Sequence, residues 1–318
     1  MTKITIAYAP DLNFVPLTLV SMASVLANAR AEDDIEFAIM HSGLAEKYLN
    51  AFNELQHIKP YKLLLLKVDT TVFEGFPNAN WVTAEAWFRC LLADLLPEHQ
   101  KVLYLDCDTI VRHSLGELFE IDLGVHFAGV IEDVSKSHRN AERVALQDGF
   151  YFNSGVMYIN LSMWRQVDFF HTLRELVLED FTIGNDQDAL NKACDGRKLR
   201  LSPEYDYMHV WWRKNKPDYA ADYMSLYEQA AENPVIVHFT GVKPNSPECG
   251  NKFTSEFRKY AAMIPTYEAL QQEIGVKKAS DRRPKLPFYK RLLWTEIAAD
   301  RKHRYIYFLG LKFKWQRC

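Results

Sequence analysis

Apolar and polar positions along the chain repeat as buried strand, polar turn, amphipathic helix. Residues 3–8 alternate into a strand, Ala9-Pro10-Asp11-Leu12-Asn13 reads as a turn, and residues 14–29 carry Leu17, Val20, Met22, Ala23 and Leu26 at helical spacing. Residues 35–40 predict a second strand, 44–56 a helix, and 61–68, with the leucine run 63–66, a third strand. That β-α-β-α-β order predicts an α/β fold with a mainly parallel sheet and right-handed crossovers. Residues 83–95 predict a helix stopped by Pro97, with Arg89 near its middle. An arginine there either lies on a solvated face or reaches an anion at the strand ends.

The second half keeps the alternation. Residues 114–119 suggest helical turns, and 126–131 a strand that runs into Glu132 and Asp133. The polar segment 135–146 suggests a loop and helix over a site. Residues 150–160 form a strong strand pattern broken at Asn153-Ser154-Gly155. A glycine inside a strand marks a close ligand approach. Residues 163–179 predict one amphipathic helix, and Gly184-Asn185-Asp186-Gln187-Asp188 a capped turn into a helix over 189–194. The stretch 199–232 is irregular and aromatic, with Tyr205, Tyr207, Trp211 and Trp212. A short strand over 235–239 carries His238, and Thr240-Gly241-Val242-Lys243-Pro244 turns away from it.

The chemistry centres on Asp106-Cys107-Asp108 after the apolar residues Val102, Leu103 and Leu105. Residues i and i+2 of an extended segment point the same way. Two carboxylates on one side repel unless a cation sits between them, and a hard divalent ion such as Mg²⁺ or Mn²⁺ suits oxygen ligands. The carboxyl end of a strand in an open α/β sheet is also where ligands bind. A solvated acidic turn is the plain alternative. Cys107 then points away and fills apolar space. Near the first turn no Gly-x-Gly-x-x-Gly occurs, so the usual dinucleotide fingerprint is missing. Asp11 and Asn13 either contact a base edge or cap the following helix.

With 318 residues, 48% hydrophobic and 25% charged, the chain has material for one large α/β domain or two modest ones. The net charge of −3 gives no reason to expect nucleic acid as a partner. Cys90, Cys107, Cys194, Cys249 and Cys318 show no zinc or redox spacing, which suggests free thiols in a reducing cytosol. The first residues enter a strand directly, so no signal peptide is expected, and no apolar run is long enough to span a bilayer.

The end of the chain changes character. Residues 275–284 look like a linker. Beyond them Lys285, Lys290, Arg291, Arg301, Lys302, Arg304, Lys312, Lys314 and Arg317 outnumber Glu296 and Asp300. Phe288, Tyr289, Leu292, Leu293 and Trp294 are interleaved. Basic, aromatic and amphipathic together predict a segment on an anionic membrane surface. The alternative is a helix and strand packed on the main domain. The organisation expected is a catalytic domain over 1–274 and a basic aromatic, membrane-associating region over 275–318.

Taken together, from Ile4 to about Lys243, these motifs resemble glycosyltransferase family 8, the retaining transferases that use nucleotide sugars. The likeness is greatest to the bacterial lipopolysaccharide and lipooligosaccharide galactosyl- and glucosyltransferases. It implies a GT-A fold, a Rossmann-like mainly parallel sheet with flanking helices. It also implies a UDP-galactose or UDP-glucose donor, Mn²⁺ or Mg²⁺, and a saccharide or lipid-linked saccharide acceptor. Asp106 and Asp108 match the family's Asp-x-Asp, and His238 its third protein ligand to the metal. Ala9, Asp11 and Asn13 match positions near the uracil and ribose, and Arg89 an arginine near the donor sugar and phosphates. Asp133, Asn153, Asp186 and Gln187 match residues around the donor sugar and reacting centre. Gly241 and Lys243 match the His-x-x-Gly…Lys-Pro segment that holds the diphosphate. The family commonly has two residues between that glycine and lysine and a tryptophan after the proline; here only Val242 intervenes and Asn245 follows Pro244. The implied location is cytoplasmic, peripheral on the inner face of the cytoplasmic membrane.

Two rival readings remain at this level. In a haloacid-dehalogenase-like phosphatase Asp106 would be a covalent nucleophile, usually on the first strand. Here three strand patterns precede it, and Ile110 stands where that motif wants threonine. A non-catalytic UDP-sugar-binding protein at a membrane surface would have no need of Asp106, Asp108, His238, Asp186 and Gln187 together.

Overall fold

The computed structural model describes residues 2–77, 83–134, 137–208, 221–280, 293–297, 303–308 and 311–316. The strands of the main body are β1 (Lys3–Tyr8), β2 (Asp34–His41), β3 (Lys62–Lys67), β4 (Lys101–Leu105), β5 (Thr109–Val111), β6 (Ala128–Glu132), β7 (Phe152–Asn160), β8 (Lys198–Arg200) and β9 (Ile236–His238). A seven-stranded sheet runs in the order β3-β2-β1-β4-β7-β6-β8, and β5 pairs with β9. Only β7 runs against its neighbours; the other pairings in the large sheet are parallel.

Alternation along each strand splits the core into two layers. On β1, Ile4, Ile6 and Tyr8 pack with the helix Val15–Asn28, whereas Ala7 joins Trp87, Phe88 and Trp164 on the opposite face. On β4, Leu103 and Leu105 take the first side and Val102 and Tyr104 the second. Each such aliphatic side chain contributes about 1.5–3 kcal/mol on burial.

Strand direction decides where the site lies. The order reverses between β1 and β4, the kind of switch point at which α/β sheets bind ligands. Because β7 is antiparallel to β4, with Leu105 opposite Val156, its opening residues Asn153-Ser154-Gly155 lie at the carboxyl end of β4. β6 runs parallel to β4 and delivers Asp133 to the same end of the sheet.

Several elements differ from the sequence expectations. The helix expected over 44–56 is a short α-helix, Glu46–Ala51, followed by a 3₁₀ turn, Glu54–His57. That over 83–95 is mostly 3₁₀, Ala84–Leu91, before an α-turn, Leu92–Leu95. The single helix over 163–179 is two, Leu161–Gln166 and Phe169–Glu179, because Asp168 adopts a left-handed conformation at φ 47°. The helix expected from 189 starts earlier, at Asp186, where Asn185 accepts from the Asp188 N–H. β8 was not anticipated, being short and basic. Residues 275–280 of the expected linker continue the helix Tyr267–Ser280, which crosses the expected boundary after 274. Beyond it, β10 (Leu293–Ile297), β11 (His303–Phe308) and β12 (Leu311–Gln316) pair as an antiparallel sheet. Trp211, Trp212, Lys285, Phe288, Tyr289, Lys290, Arg291, Leu292, Asp300, Arg301, Lys302, Arg317 and Cys318 lie outside the described residues. Among the described residues no helix is long and apolar enough to cross a membrane.

Candidate active site

β4 ends at Leu105 and the chain turns at once into β5. Asp106 and Asp108 are therefore brought together by a tight turn, and not by the alternation of an extended strand that their spacing predicts. Three hydrogen bonds fix that turn. The Asp106 N–H donates to the Gly155 carbonyl at 2.7 Å, the Thr109 hydroxyl to the Asp106 carbonyl at 2.9 Å, and the Phe239 N–H to the Asp108 carbonyl at 2.9 Å. Cys107 is buried and turned toward Thr18, as expected of a filler.

β9 sets His238 opposite Thr109. Its Nε2 lies 3.4 Å from Asp108 Oδ1 and 3.7 Å from Asp106 Oδ2, and its Nδ1 lies 3.0 Å from Asp206 Oδ1. Gly155 makes this packing possible. A Cβ on it would come within 2.4 Å of the His238 ring, 2.7 Å of Asp106 Oδ2 and 2.9 Å of Asn153 Oδ1. The glycine thus serves a close approach of protein groups, where the sequence had suggested a close ligand approach.

One ligand atom from each of Asp106, Asp108 and His238 falls within 4.8 Å of the others. Two carboxylate oxygens and an imidazole nitrogen suit a divalent ion such as Mn²⁺, while Mg²⁺ prefers oxygen throughout. The donor set therefore fits the metal that the resemblance implies. Lys243 adds a cation, hydrogen-bonded through Nζ to Asp108 Oδ2. Burial alone would raise the Asp108 pKa, but His238 and Lys243 outweigh it and hold the carboxyl well below its usual range. Burial works against charge on His238 and Lys243, yet the neighbouring carboxylates raise both above their ordinary values.

Arg89 is not on a solvated face; it is 3% exposed. The 3₁₀ stretch directs it inward over the Tyr104 ring, 4.1 Å from its centroid. Its guanidinium lies 3.2 Å from Asp106 Oδ1 and 3.5 Å from Asp186 Oδ2, and also donates to the Ser154 carbonyl. The Asp186 carboxyl is raised by burial, which Arg89 offsets only in part.

Gln187 is held at both ends of its amide. Its Nε2 donates to Asp133 Oδ2 at 2.9 Å, and its Oε1 accepts from the Ser154 N–H at 3.1 Å. The next residue, Asp188, is 1% exposed. It accepts from Tyr151 Oη at 2.6 Å, from the Gly184 N–H at 2.9 Å and from Arg143 on the helix Ser137–Arg143. Asn153 turns its Oδ1 back onto the Gly155 N–H at 2.9 Å.

A cleft of about 390 Å³ joins these groups, and Ala9, Asp11, Arg89, Asp106, Asp108, Asn153, Asp186, Gln187, His238, Gly241 and Lys243 all line it. Two expected site residues do not. Asn13 is exposed and away from the lining, and Asp133 is buried behind Gln187, its contribution being the hydrogen bond to that amide. Asp11 lines the cleft and also caps the turn before the first helix, accepting from the N–H groups of Asn13 and Phe14, so both readings of it hold. Tyr104 and Asp206 join the site without having been singled out, and Ser154, named only as part of the strand break, joins them. Asp206 sat in an irregular aromatic stretch that carries no motif.

The sequence model of glycosyl transferase family 8 matches residues 5–245. The chain is 24% identical to the lipopolysaccharide 1,2-glucosyltransferase of Escherichia coli over 303 residues, 93% of this chain and 87% of that protein. It is 26% identical to general stress protein A of Bacillus subtilis (strain 168) over 244 residues, 74% of this chain and 85% of that one. Among solved structures, an active-site mutant of LgtC superposes with a TM-score of 0.73 at 27% identity, covering 83% of this chain and 97% of that one. The galactosyltransferase LgtC in complex with donor and acceptor sugar analogs gives 0.71 at 25% identity, with the same coverage. These likenesses leave no place for the phosphatase reading. The shared fold is the GT-A fold, its metal-suited turn lies within the matched residues, and the chain belongs to glycosyl transferase family 8.

Proposed function

We propose that this glycosyltransferase moves a hexose, galactose or glucose, from a UDP-sugar to a saccharide acceptor with retention at the anomeric carbon. The acceptor belongs to lipopolysaccharide or another surface glycan, and the work is done at the inner face of the cytoplasmic membrane. One observation carries the reading: Asp106, Asp108 and His238 each bring a ligand atom within 4.8 Å of the others, in the same cleft as Lys243, Arg89 and the anchored amide of Gln187. The glucosyltransferase of Escherichia coli and the sugar-analog complex of LgtC support the choice of substrate class.

Asp106, Asp108 and His238 would hold Mn²⁺ or Mg²⁺, which as a Lewis acid stabilises negative charge on a departing diphosphate. Lys243 adds a fixed positive charge on the same side, and Arg89 a second one deeper in the cleft. The bond between the anomeric carbon and the phosphate oxygen breaks with its electron pair leaving on UDP. The acceptor hydroxyl then bonds to that carbon from the same face, and its proton passes to the departing phosphate oxygen. Gln187 is neutral and a poor nucleophile. Asp133 and Ser154 fix its amide so that it orients and stabilises the oxocarbenium-like sugar.

A panel of UDP-sugars with Mn²⁺, following UDP release without acceptor, tests the donor class. Hydrolysis confined to UDP-galactose or UDP-glucose is expected. Turnover of neither, or equal turnover in chelator, overturns the reading.

A further inference from the structure

Resting on the metal reading above, we infer that Asp206 is a positioning residue that fixes the tautomer of His238. Asp206 is fully buried, and its Oδ1 lies 3.0 Å from His238 Nδ1. Its other oxygen, Oδ2, has no hydrogen-bond partner among the described residues, so the imidazole is the one described group that answers this carboxylate.

The backbone makes the pairing rigid. Tyr207 donates its N–H to the Ile236 carbonyl at 2.9 Å, and His238 donates back to the Tyr207 carbonyl at 3.1 Å. The Tyr227 hydroxyl holds the Met208 N–H at 2.7 Å. Asp206 and His238 therefore sit in fixed backbone register on adjoining segments.

The chemistry follows from donor and acceptor counts. An ionised carboxylate only accepts, and a neutral imidazole has one N–H and one lone pair. In the neutral ring that a metal requires, Asp206 thus assigns the hydrogen to Nδ1 and leaves the lone pair on Nε2. That nitrogen is the one 3.4 Å from Asp108 and 3.7 Å from Asp106. A lone pair and two carboxylates meeting at one point are a ligand set; with the opposite tautomer Nε2 would carry a hydrogen and could not ligate. A carboxylate behind a ligating histidine also raises its basicity, and losing such a partner weakens metal affinity about 10–100-fold.

Two measurements test this. Mn²⁺ affinity is followed by the paramagnetic resonance of the free ion, with UDP at a fixed concentration and the Mn²⁺ that UDP holds subtracted through a protein-free control. Asp206→Ala should weaken binding about 10–100-fold. Asp206→Asn, whose amide oxygen can still accept from Nδ1–H without a charge, should fall between. Thermal melting without metal separates loss of fold from loss of affinity. The second measurement needs no variant: nitrogen spectra of histidine-labelled wild-type protein with Mg²⁺ and UDP should show His238 with its hydrogen on Nδ1. A folded Asp206→Ala protein with wild-type Mn²⁺ affinity, or a hydrogen on Nε2 in the loaded wild type, overturns the inference while leaving the metal reading standing. If wild-type protein takes up no Mn²⁺, the metal reading falls and this inference with it.

Discussion

At the scale of single residues, contact distances and fixed hydrogens decide the chemistry. Gly155 is the steric case at the site. Its missing side chain is the space that lets His238 and Asp106 meet, so Gly155→Ala should push the ligand atoms apart. A displacement of about 1 Å in a positioned site costs on the order of a hundredfold in rate. We expect kcat with a UDP-sugar to fall by that order and Mn²⁺ dependence to shift to higher concentration. Wild-type kinetics in this variant would mean that the three ligands do not act together. Asp108→Asn should cost more, about a thousandfold, because it removes a charge that His238 and Lys243 both lean on. Gln187→Ala should slow turnover without ending it, since the amide orients and does not bond. Anomeric proton couplings should show an α-linked product from an α-linked donor, and a β product excludes the proposed front-face attack. That Asp106, Asp108, His238 and Gln187 would meet in one cleft was legible from the sequence because each sits in a motif. Asp206 and Ser154 were not, because one carboxylate among tyrosines and one serine in a strand carry no pattern of their own. Asn13 fell outside the cleft because its neighbour Asp11 claims the cap and the exposed turn takes Asn13 with it.

At the scale of elements, periodicity identified most strands and helices but not where they change direction. The strand pattern of β7 looks the same whether it runs with or against β4, so its antiparallel placement, which delivers Asn153 to Gly155 to the site, could not be read off. The break at Asp168 was hidden because residues 163–179 keep a helical apolar stripe on both sides of it. Links between elements are likewise invisible in a linear pattern. Asp148, ahead of β7, meets Lys198 at the start of β8 at 3.1 Å, and the lysine side chain is 0% exposed. Burial raises the Asp148 carboxyl, but the Phe150 N–H and the Lys198 ammonium outweigh it and hold its pKa below the ordinary value. A carboxylate depressed in this way stabilises the fold fully above its unfolded pKa of about 3.9, and the contribution is lost as pH falls through the folded value. Asp148→Asn should therefore cost about 1–2 kcal/mol at pH 7, where Lys198 loses its ion-pair partner, and progressively less toward acid. Urea unfolding of both proteins at neutral and acidic pH measures the gap. A gap that does not narrow on acidification points away from the ion pair as its cause.

At the scale of the whole molecule, the α/β class and the position of the site followed from the repeated strand-turn-helix pattern, because parallel strands joined by helices must present their carboxyl ends together. The end of the chain was less legible. Leu311-Lys312-Phe313-Lys314-Trp315 alternates with the period of a strand, yet its basic and aromatic content drew the reading toward a surface segment with no assigned pairing. The backbone pairs it with β11, and β11 with β10. A paired sheet and a membrane-associating segment are compatible, since the argument for the membrane rests on charge and aromatic content. Each lysine or arginine near an anionic leaflet contributes about 1 kcal/mol, weakened by salt, and aromatic insertion adds a part that salt does not screen. Removing all residues after Arg283 should release the protein from vesicles rich in anionic lipid. Donor hydrolysis should stay largely intact, because every residue lining the cleft lies upstream. Co-sedimentation of the full-length and shortened proteins, at low and high salt, measures the first effect, and UDP release measures the second. Equal sedimentation of the two forms shows that the tail is not the anchor. An unfolded shortened protein shows instead that β10 to β12 are part of what holds the catalytic body together, and that the basic residues there lie on its solvated face.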